Sequence, residues 1–325
     1  MLDQALSVFE ITPDYELSVM RPDQTPTEVF AKILAGLQPI LSDWRPDWLL
    51  VQGDTTTVLA AALGGAYAGC HVGHVEAGLR TYDRQNPFPE ELNRVLVDHA
   101  SDLLFAPTAR AQQALLREGI AESKIRLTGN TIVDALRHIV QKTVLRDEIS
   151  VRSDKRLILV TAHRRENHGP PLDNILRALQ RLAERSDVHI VYAVHRSPNV
   201  WQPTHKALEG CANVTLMEPL DYLSFVQVMR QAFLILTDSG GVQEEALSLG
   251  VPVLVMRSVT ERPEVIEAGV GRLVGADTET IVREASALMD NPLAYESMAK
   301  AVNPYGDGHA ALRIVDAICQ WRESI

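Results

Sequence analysis

Cysteine is scarce in this chain. Cys70, Cys211 and Cys319 are widely spaced, odd in number and free of any CxxC pattern, so the sequence suggests neither a disulfide framework nor a zinc site and suits a reducing compartment. No apolar run reaches the length of a membrane span, and the opening MLDQALSVFEITPDYE lacks the basic start and long apolar stretch of a secretory signal. The expected place is the cytoplasm, away from membranes. Positive charge is also short: 31 Lys and Arg against 42 Asp and Glu leave a net charge of −11. That balance argues against a nucleic-acid partner, while permitting a local basic pocket for phosphates. What the chain does have is apolar bulk, 46% of 325 residues, enough core for two domains.

Short apolar runs alternate with longer amphipathic stretches, which is the pattern of an α/β protein with parallel sheets flanked by helices. Strands are expected near 48–51, 71–75, 103–105 and 125–127, and again near 157–160, 188–194, 214–217, 233–236 and 253–255. Residues 1–9 read as a helix. A further helix is announced by Thr25-Pro26-Thr27-Glu28, where Thr25 caps, Pro26 suits the first helical position and Glu28 completes a capping box. The polar stretch 141–155 reads as a linker. It divides a first domain, 1–150, from a second, 151–304, with the last helical stretch in 305–325 packing back onto the first.

Residues just beyond the strands carry the chemistry in such sheets. The segment TDSGGVQEEALSLGVPVLVMR, 237–257, is the most informative: an apolar run ends in Ser239-Gly240-Gly241 and a helix follows, leaving backbone N–H groups free for an anion. Glu245, further along that helix, is placed to accept from the hydroxyls of a ribose, so a nucleotide is the natural guest. An ordinary strand–turn–helix would look much the same. In the first domain Asp54, Glu76 and Glu90 each follow a strand or open a helix. In the second, ILVTAHRREN puts His163 and Arg164 after a strand, and His195 and Arg262 are further candidates. The two sets are expected to face each other across an interdomain cleft. Plainer roles stay open: Asp54 as a helix cap, Glu90 favouring a helix dipole, His163 in a solvated loop. Glu76, between strand and glycine, has no capping task. His71 and His74 have the spacing of a metal pair but point to opposite faces of a strand, so no metal site is expected.

The segments GDTTT, GHVEAGLRT, PFPEELNR, LTGNTIVDAL, VTAHRREN, TDSGG, TERPE and NPYGDG, in that order along the whole chain, closely resemble the bacterial non-hydrolysing UDP-N-acetylglucosamine 2-epimerases. The resemblance implies a glycosyltransferase type B fold, two Rossmann-like domains around a cleft, and a homodimer. The implied activity is reversible conversion of UDP-GlcNAc to UDP-ManNAc by loss and re-addition of UDP through a 2-acetamidoglucal, serving surface polysaccharide synthesis. By motif match Asp54, Glu76, Glu90 and His163 form the catalytic set, while Phe225, Ser239, Gly240, Gly241, Glu245 and Arg262 hold UDP. Gln24, Arg164 and His195 are assigned to a second, activating UDP-GlcNAc site. Neither metal nor nicotinamide cofactor is implied.

The chain departs from the family at its start, where members open with a strand and a GTRPEAIK-like loop. About 40 residues, a little more than a βα pair, are missing from that pattern. The loss is expected to expose sheet edges, weaken stability and leave little epimerase activity. Two rival readings follow: a shortened, non-catalytic chain that still binds UDP, and a hydrolysing relative that releases ManNAc and UDP.

Overall fold

The apolar runs become strands and the amphipathic stretches helices in the computed structural model, which describes residues 2–21, 24–85, 87–142, 154–260 and 262–321. Numbered along the chain, the first elements are α1 (Leu2–Val8), α2 (Pro26–Trp44), β1 (Trp48–Gln52), α3 (Thr56–Tyr67), β2 (His71–Val75), α4 (Glu90–Ala100), β3 (Leu103–Ala106), α5 (Ala109–Arg117), β4 (Ile125–Leu127) and α6 (Thr131–Lys142). Next come β5 (Arg156–Thr161), α7 (Pro170–Ala183), β6 (Val188–Ala193), α8 (Pro198–Leu208), β7 (Val214–Met217), α9 (Tyr222–Gln231), β8 (Leu234–Thr237) and α10 (Gly240–Ser248). The last are β9 (Val253–Val255), α11 (Pro263–Glu267), β10 (Gly271–Leu273), α12 (Thr278–Asp290), α13 (Pro292–Ala299) and α14 (Ala310–Cys319). The capping box at α2 forms as its residue types require: Thr25 Oγ1 accepts from the Glu28 N–H, and the Glu28 carboxylate accepts from the Thr25 N–H at 2.8 Å. Among the described residues no helix is long and apolar enough to cross a membrane.

Two Rossmann-like units result. The smaller comprises 12–134 and 305–325. Its parallel sheet has the order β1-β2-β3-β4. Val51, Val58, Leu59, Val72 and Val97 fill one part of its core, and Val75, Leu103 and Phe105 close over Ile314 of α14. Beyond β2 the chain runs tight against α5. At Gly78 (φ 86) a Cβ would lie 2.4 Å from the Ala111 carbonyl oxygen, so only glycine fits there.

The larger unit comprises 1–11 and 135–304. Its six parallel strands have the order β10-β9-β8-β5-β6-β7, which counted from β5 is the doubly wound order 3-2-1-4-5-6. The order reverses between β5 and β8. Their last residues, Thr161 and Thr237, pair in register with their hydroxyls 2.7 Å apart. The loops after these two strands therefore leave the sheet side by side, at the position where such sheets bind ligands.

Three features differ from the sequence expectation. Strand β10 was not anticipated, because three residues at a sheet edge are too few to show a period. The division between units falls at 134/135, inside α6, because Leu136 and Ile139 of that helix enter the core of the larger sheet. Most of the expected linker, 143–153, lies outside the described residues. Residues 1–11 group with the larger unit instead of the first domain, since Val8 and Phe9 pack on its core and Phe9 stacks on His138.

Candidate functional site

In the smaller unit the loops beyond β1 and β2 carry Asp54 and Glu76. Gly53 takes φ 84 and donates its N–H to the Val75 carbonyl, so the turn after β1 is tied to the end of β2. Asp54 does not cap α3; Thr55 does, accepting from the Val58 N–H. Freed from that task, the Asp54 carboxylate lies 2.6 Å from Arg94 Nη2, and its carbonyl accepts from Asn93 Nδ2 at 2.9 Å. Arg94 also meets Glu91, which accepts from the N–H groups of Thr81 and Tyr82. Half-buried Glu90 is the first residue of α4, four before Arg94 and so on the same helix face. Pro89 stands at the cap with no side-chain bond.

Glu76 is held in a left-handed backbone conformation, φ 67, which costs a residue with a side chain roughly 1–2 kcal/mol. Such strain persists where surrounding contacts enforce it, and it clusters at functional sites. The enforcing contacts are at hand. Asn130, beyond β4, donates weakly from Nδ2 to Glu76 Oε1 at 3.4 Å, and its own backbone N–H is fixed at 2.7 Å to the Tyr305 carbonyl. A Cβ on Gly53 would lie 3.9 Å from Glu76 Oε2, so the Glu76 carboxylate sits beside the loop that carries Asp54.

Beneath these carboxylates lies a largely buried ionic network. His74 Nδ1 is 2.6 Å from Asp98 Oδ1, and its Nε2 is 2.8 Å from the Gly53 carbonyl oxygen. Asp98 Oδ2 accepts from the Gly78 N–H and pairs with Arg80, which forks onto Glu118 with both Nε and Nη2 at 2.7 Å. Burial works against the Arg80 charge, but Glu118 and Asp98 outweigh it and hold the guanidinium proton more tightly than usual. His71, by contrast, lies tilted against Trp48 and edge-on to Trp321, so the two histidines serve different neighbourhoods.

In the larger unit the two loops at the sheet reversal are bonded together. Asp238, fully buried after β8, accepts from the backbone N–H groups of His163 and Arg164, from Asn167 Nδ2, and lies 3.0 Å from His163 Nδ1. Burial opposes its charge, yet the bonds from His163, Arg164 and Asn167 keep its carboxyl below the usual range. His195 stacks on His163 with ring centroids 6.0 Å apart, and its Nδ1 accepts from the Ser197 N–H. Arg164 is thus beside His163 in sequence and His195 beside it in space. Gln24 belongs to the smaller unit, where its Nε2 donates to the Val19 carbonyl.

Ser239 caps α10 without a side-chain bond, and a Cβ on Gly241 would meet nothing within 4 Å, so the helix start is open. Gln243 steadies the turn, donating to the Ser239 carbonyl and accepting from Thr260. Glu245 is buried within α10, and burial pushes its carboxyl up to about 7, offset only in part by the neighbouring Tyr222 hydroxyl. Phe225 is half-buried on α9, the helix that also carries Tyr222. Arg262 pairs with Glu244.

Sequence reading missed the residues that hold these groups. Arg94 lay in the quoted PFPEELNR, and its four-residue spacing from Glu90 was a readable signal. Asp238 lies in TDSGG, next to the serine and glycines of the helix start. His74 has the spacing of a metal ligand in the sequence, and nothing local there couples it to Asp98, 24 residues away.

Residues 1–319 match the family described as UDP-N-acetylglucosamine 2-epimerase. The chain is 49% identical over 335 aligned residues to a UDP-N-acetylglucosamine 2-epimerase of Escherichia coli O157:H7, covering 100% of this chain and 89% of that one. It is similar to the crystal structure of a UDP-GlcNAc 2-epimerase from Neisseria meningitidis bound to UDP-GlcNAc, with TM-score 0.89 and 43% identity over 98% of this chain and 89% of that one. It is also similar to a Methanocaldococcus jannaschii UDP-GlcNAc 2-epimerase in complex with UDP-GlcNAc and UDP, with TM-score 0.80 and 36% identity over 98% and 88%.

Proposed function

This chain belongs to the UDP-N-acetylglucosamine 2-epimerase family, and from that premise we propose that it interconverts UDP-GlcNAc and UDP-ManNAc, an isomerase activity serving polysaccharide precursors. The observation that carries the reading is the bonding, at the reversal of the larger sheet, of an open helix start suited to a diphosphate to a loop that presents a histidine.

The C2 proton of the sugar has no adjacent carbonyl to acidify it. Direct removal is slow, and breaking the anomeric bond helps. In the proposed route UDP leaves as the C2 proton is lost, giving 2-acetamidoglucal, and UDP returns as a proton is delivered to the opposite face. Two faces need at least two acid–base groups, and the candidates are Asp54, Glu76, Glu90 and His163. Ser239, Gly240 and Gly241 would meet the leaving diphosphate where charge develops, with Arg262 near the same turn. Phe225 and Glu245 would hold the nucleoside. We further assign Gln24, Arg164 and His195 to a second UDP-GlcNAc that activates the enzyme, and the assembly to a homodimer.

Proton NMR of UDP-GlcNAc in D₂O with the purified protein tests the activity. UDP-ManNAc should appear together with deuterium at C2. Free ManNAc with UDP would instead identify a hydrolase, and unchanged substrate with retained UDP binding would identify a binding protein.

Glu245 gives the nucleotide site a pH dependence. Below about 7 its carboxyl carries a proton and accepts poorly from ribose hydroxyls; above it the carboxylate accepts well. Bound UDP therefore lowers its pKa, and affinity should rise with pH by up to about tenfold per unit until near 7, then level off. Titration calorimetry of UDP from about pH 5 to 8, with Glu245→Gln as the control, isolates this share from the ionisation of UDP itself. Parallel pH profiles for the two proteins would remove Glu245 from the ribose contact.

A further inference from the structure

We propose that Asp238 is the positioning residue of His163, fixing its neutral ring in the Nδ1–H tautomer so that Nε2 presents a lone pair to the substrate. The proposal rests on the reading of His163 as a proton-handling group, but its geometry stands by itself. Asp238 is fully buried directly after β8, and His163 lies in the loop after β5, so the contact spans the reversal of strand order. Its two oxygens are unequally loaded. Oδ2 takes three donors, from the His163 N–H, the Arg164 N–H and Asn167 Nδ2, each at 2.9 Å. Oδ1 shares the His163 N–H at 3.1 Å and faces His163 Nδ1 at 3.0 Å. An ionised carboxylate can only accept, so the ring must donate from Nδ1. That leaves Nε2 as the acceptor end of the neutral ring, on a side chain that is 40% exposed.

The device has a second consequence. Asp238 is followed directly by Ser239, the cap of α10, whose N–H is itself fixed at 3.0 Å to Thr237 Oγ1. One short segment thus sets both the open helix start and the histidine.

Asp238→Asn is the discriminating change. The carboxamide oxygen belongs where three donors converge, which turns the NH₂ toward His163 Nδ1 and makes that nitrogen an acceptor. The ring then carries its proton on Nε2, the wrong end. We expect kcat to fall roughly 100-fold or more, the scale of a lost general base. KM for UDP-GlcNAc should change less than about threefold, since neither residue need hold the nucleotide.

The matching spectroscopic measurement is ¹H–¹⁵N NMR of histidine-labelled protein at high pH, with the His163 signals assigned by His163→Gln. The unsubstituted protein should show neutral His163 protonated on Nδ1, and Asp238→Asn should show it on Nε2. Neutral His163 protonated on Nε2 in the unsubstituted protein overturns the proposal, as does a folded Asp238→Asn enzyme with unchanged kcat. If Asp238→Asn does not fold, the tautomer of the unsubstituted protein decides alone. Full activity in His163→Gln would strike the catalytic reading of His163 separately, leaving the tautomer result to judge Asp238.

Discussion

Glu76→Gln should lower the rate of epimerisation by roughly 10²–10⁴-fold, the range a general acid or base contributes, with little loss of stability and unchanged affinity for UDP. Glutamine keeps the size of the side chain, and its amide oxygen can still accept from Asn130. What it loses is the ability to take and return a proton. The backbone at Glu76 is held at φ 67, a conformation that residues with a side chain adopt at a cost in stability. Deuterium uptake at C2, followed beside product formation, locates the defect: both should fall together if Glu76 moves the C2 proton. A Glu76→Gln enzyme within tenfold of the parent would mean that the strained conformation serves the loop alone.

Asp98→Ala should cost about 3–5 kcal/mol, the scale for removing one partner of a buried ion pair, against the 5–15 kcal/mol that holds a typical domain together. Asp98 lies between His74 and Arg80, whose side chains are 1% and 2% exposed. Alanine would leave Arg80 with the Glu118 carboxylate and the Leu79 carbonyl, the His74 Nδ1 facing a void, and the Gly78 N–H without its acceptor. Urea unfolding read by tryptophan fluorescence reports mainly on the smaller unit, because Trp44, Trp48 and Trp321 belong to it and Trp201 to the larger. The expected pattern is early loss of the smaller unit's signal with UDP binding retained by the larger. A loss below about 1 kcal/mol would show that the Asp98 contacts contribute little net stability.

The strands were legible because parallel sheets buried on both faces write themselves as short runs of Val, Ile and Leu, as at 157–160 and 234–236. The Ser239-Gly240-Gly241 turn was legible for a similar reason: its chemistry is local. The partners were less so. Asp54 looked like a cap because cap chemistry is judged from neighbours in sequence, whereas the pairing that occupies it comes from Arg94, 40 residues away. Asp238 and His163 are 75 residues apart and meet only because strand order reverses between β5 and β8. Topology of that kind is not written in any window of the sequence. The expected placing of residues 1–9 followed chain order, and the apolar face formed by Val8 and Phe9 overrides it.

Each unit is closed by a piece from the far end of the chain. Residues 1–11 join the larger unit, most of which is made later, and 305–325 join the smaller, most of which is made earlier. In the smaller unit the Asp134 carboxylate accepts from the first N–H groups of α14, Ala310 and Ala311, while Ile314 seals Phe105 and Trp321 lies edge-on to Trp48. During synthesis this sheet therefore waits, with that side bare, until α14 has been made. The period of exposure is set by translation as well as by the sheet's own folding, and over that period apolar strand residues stay open to aggregation.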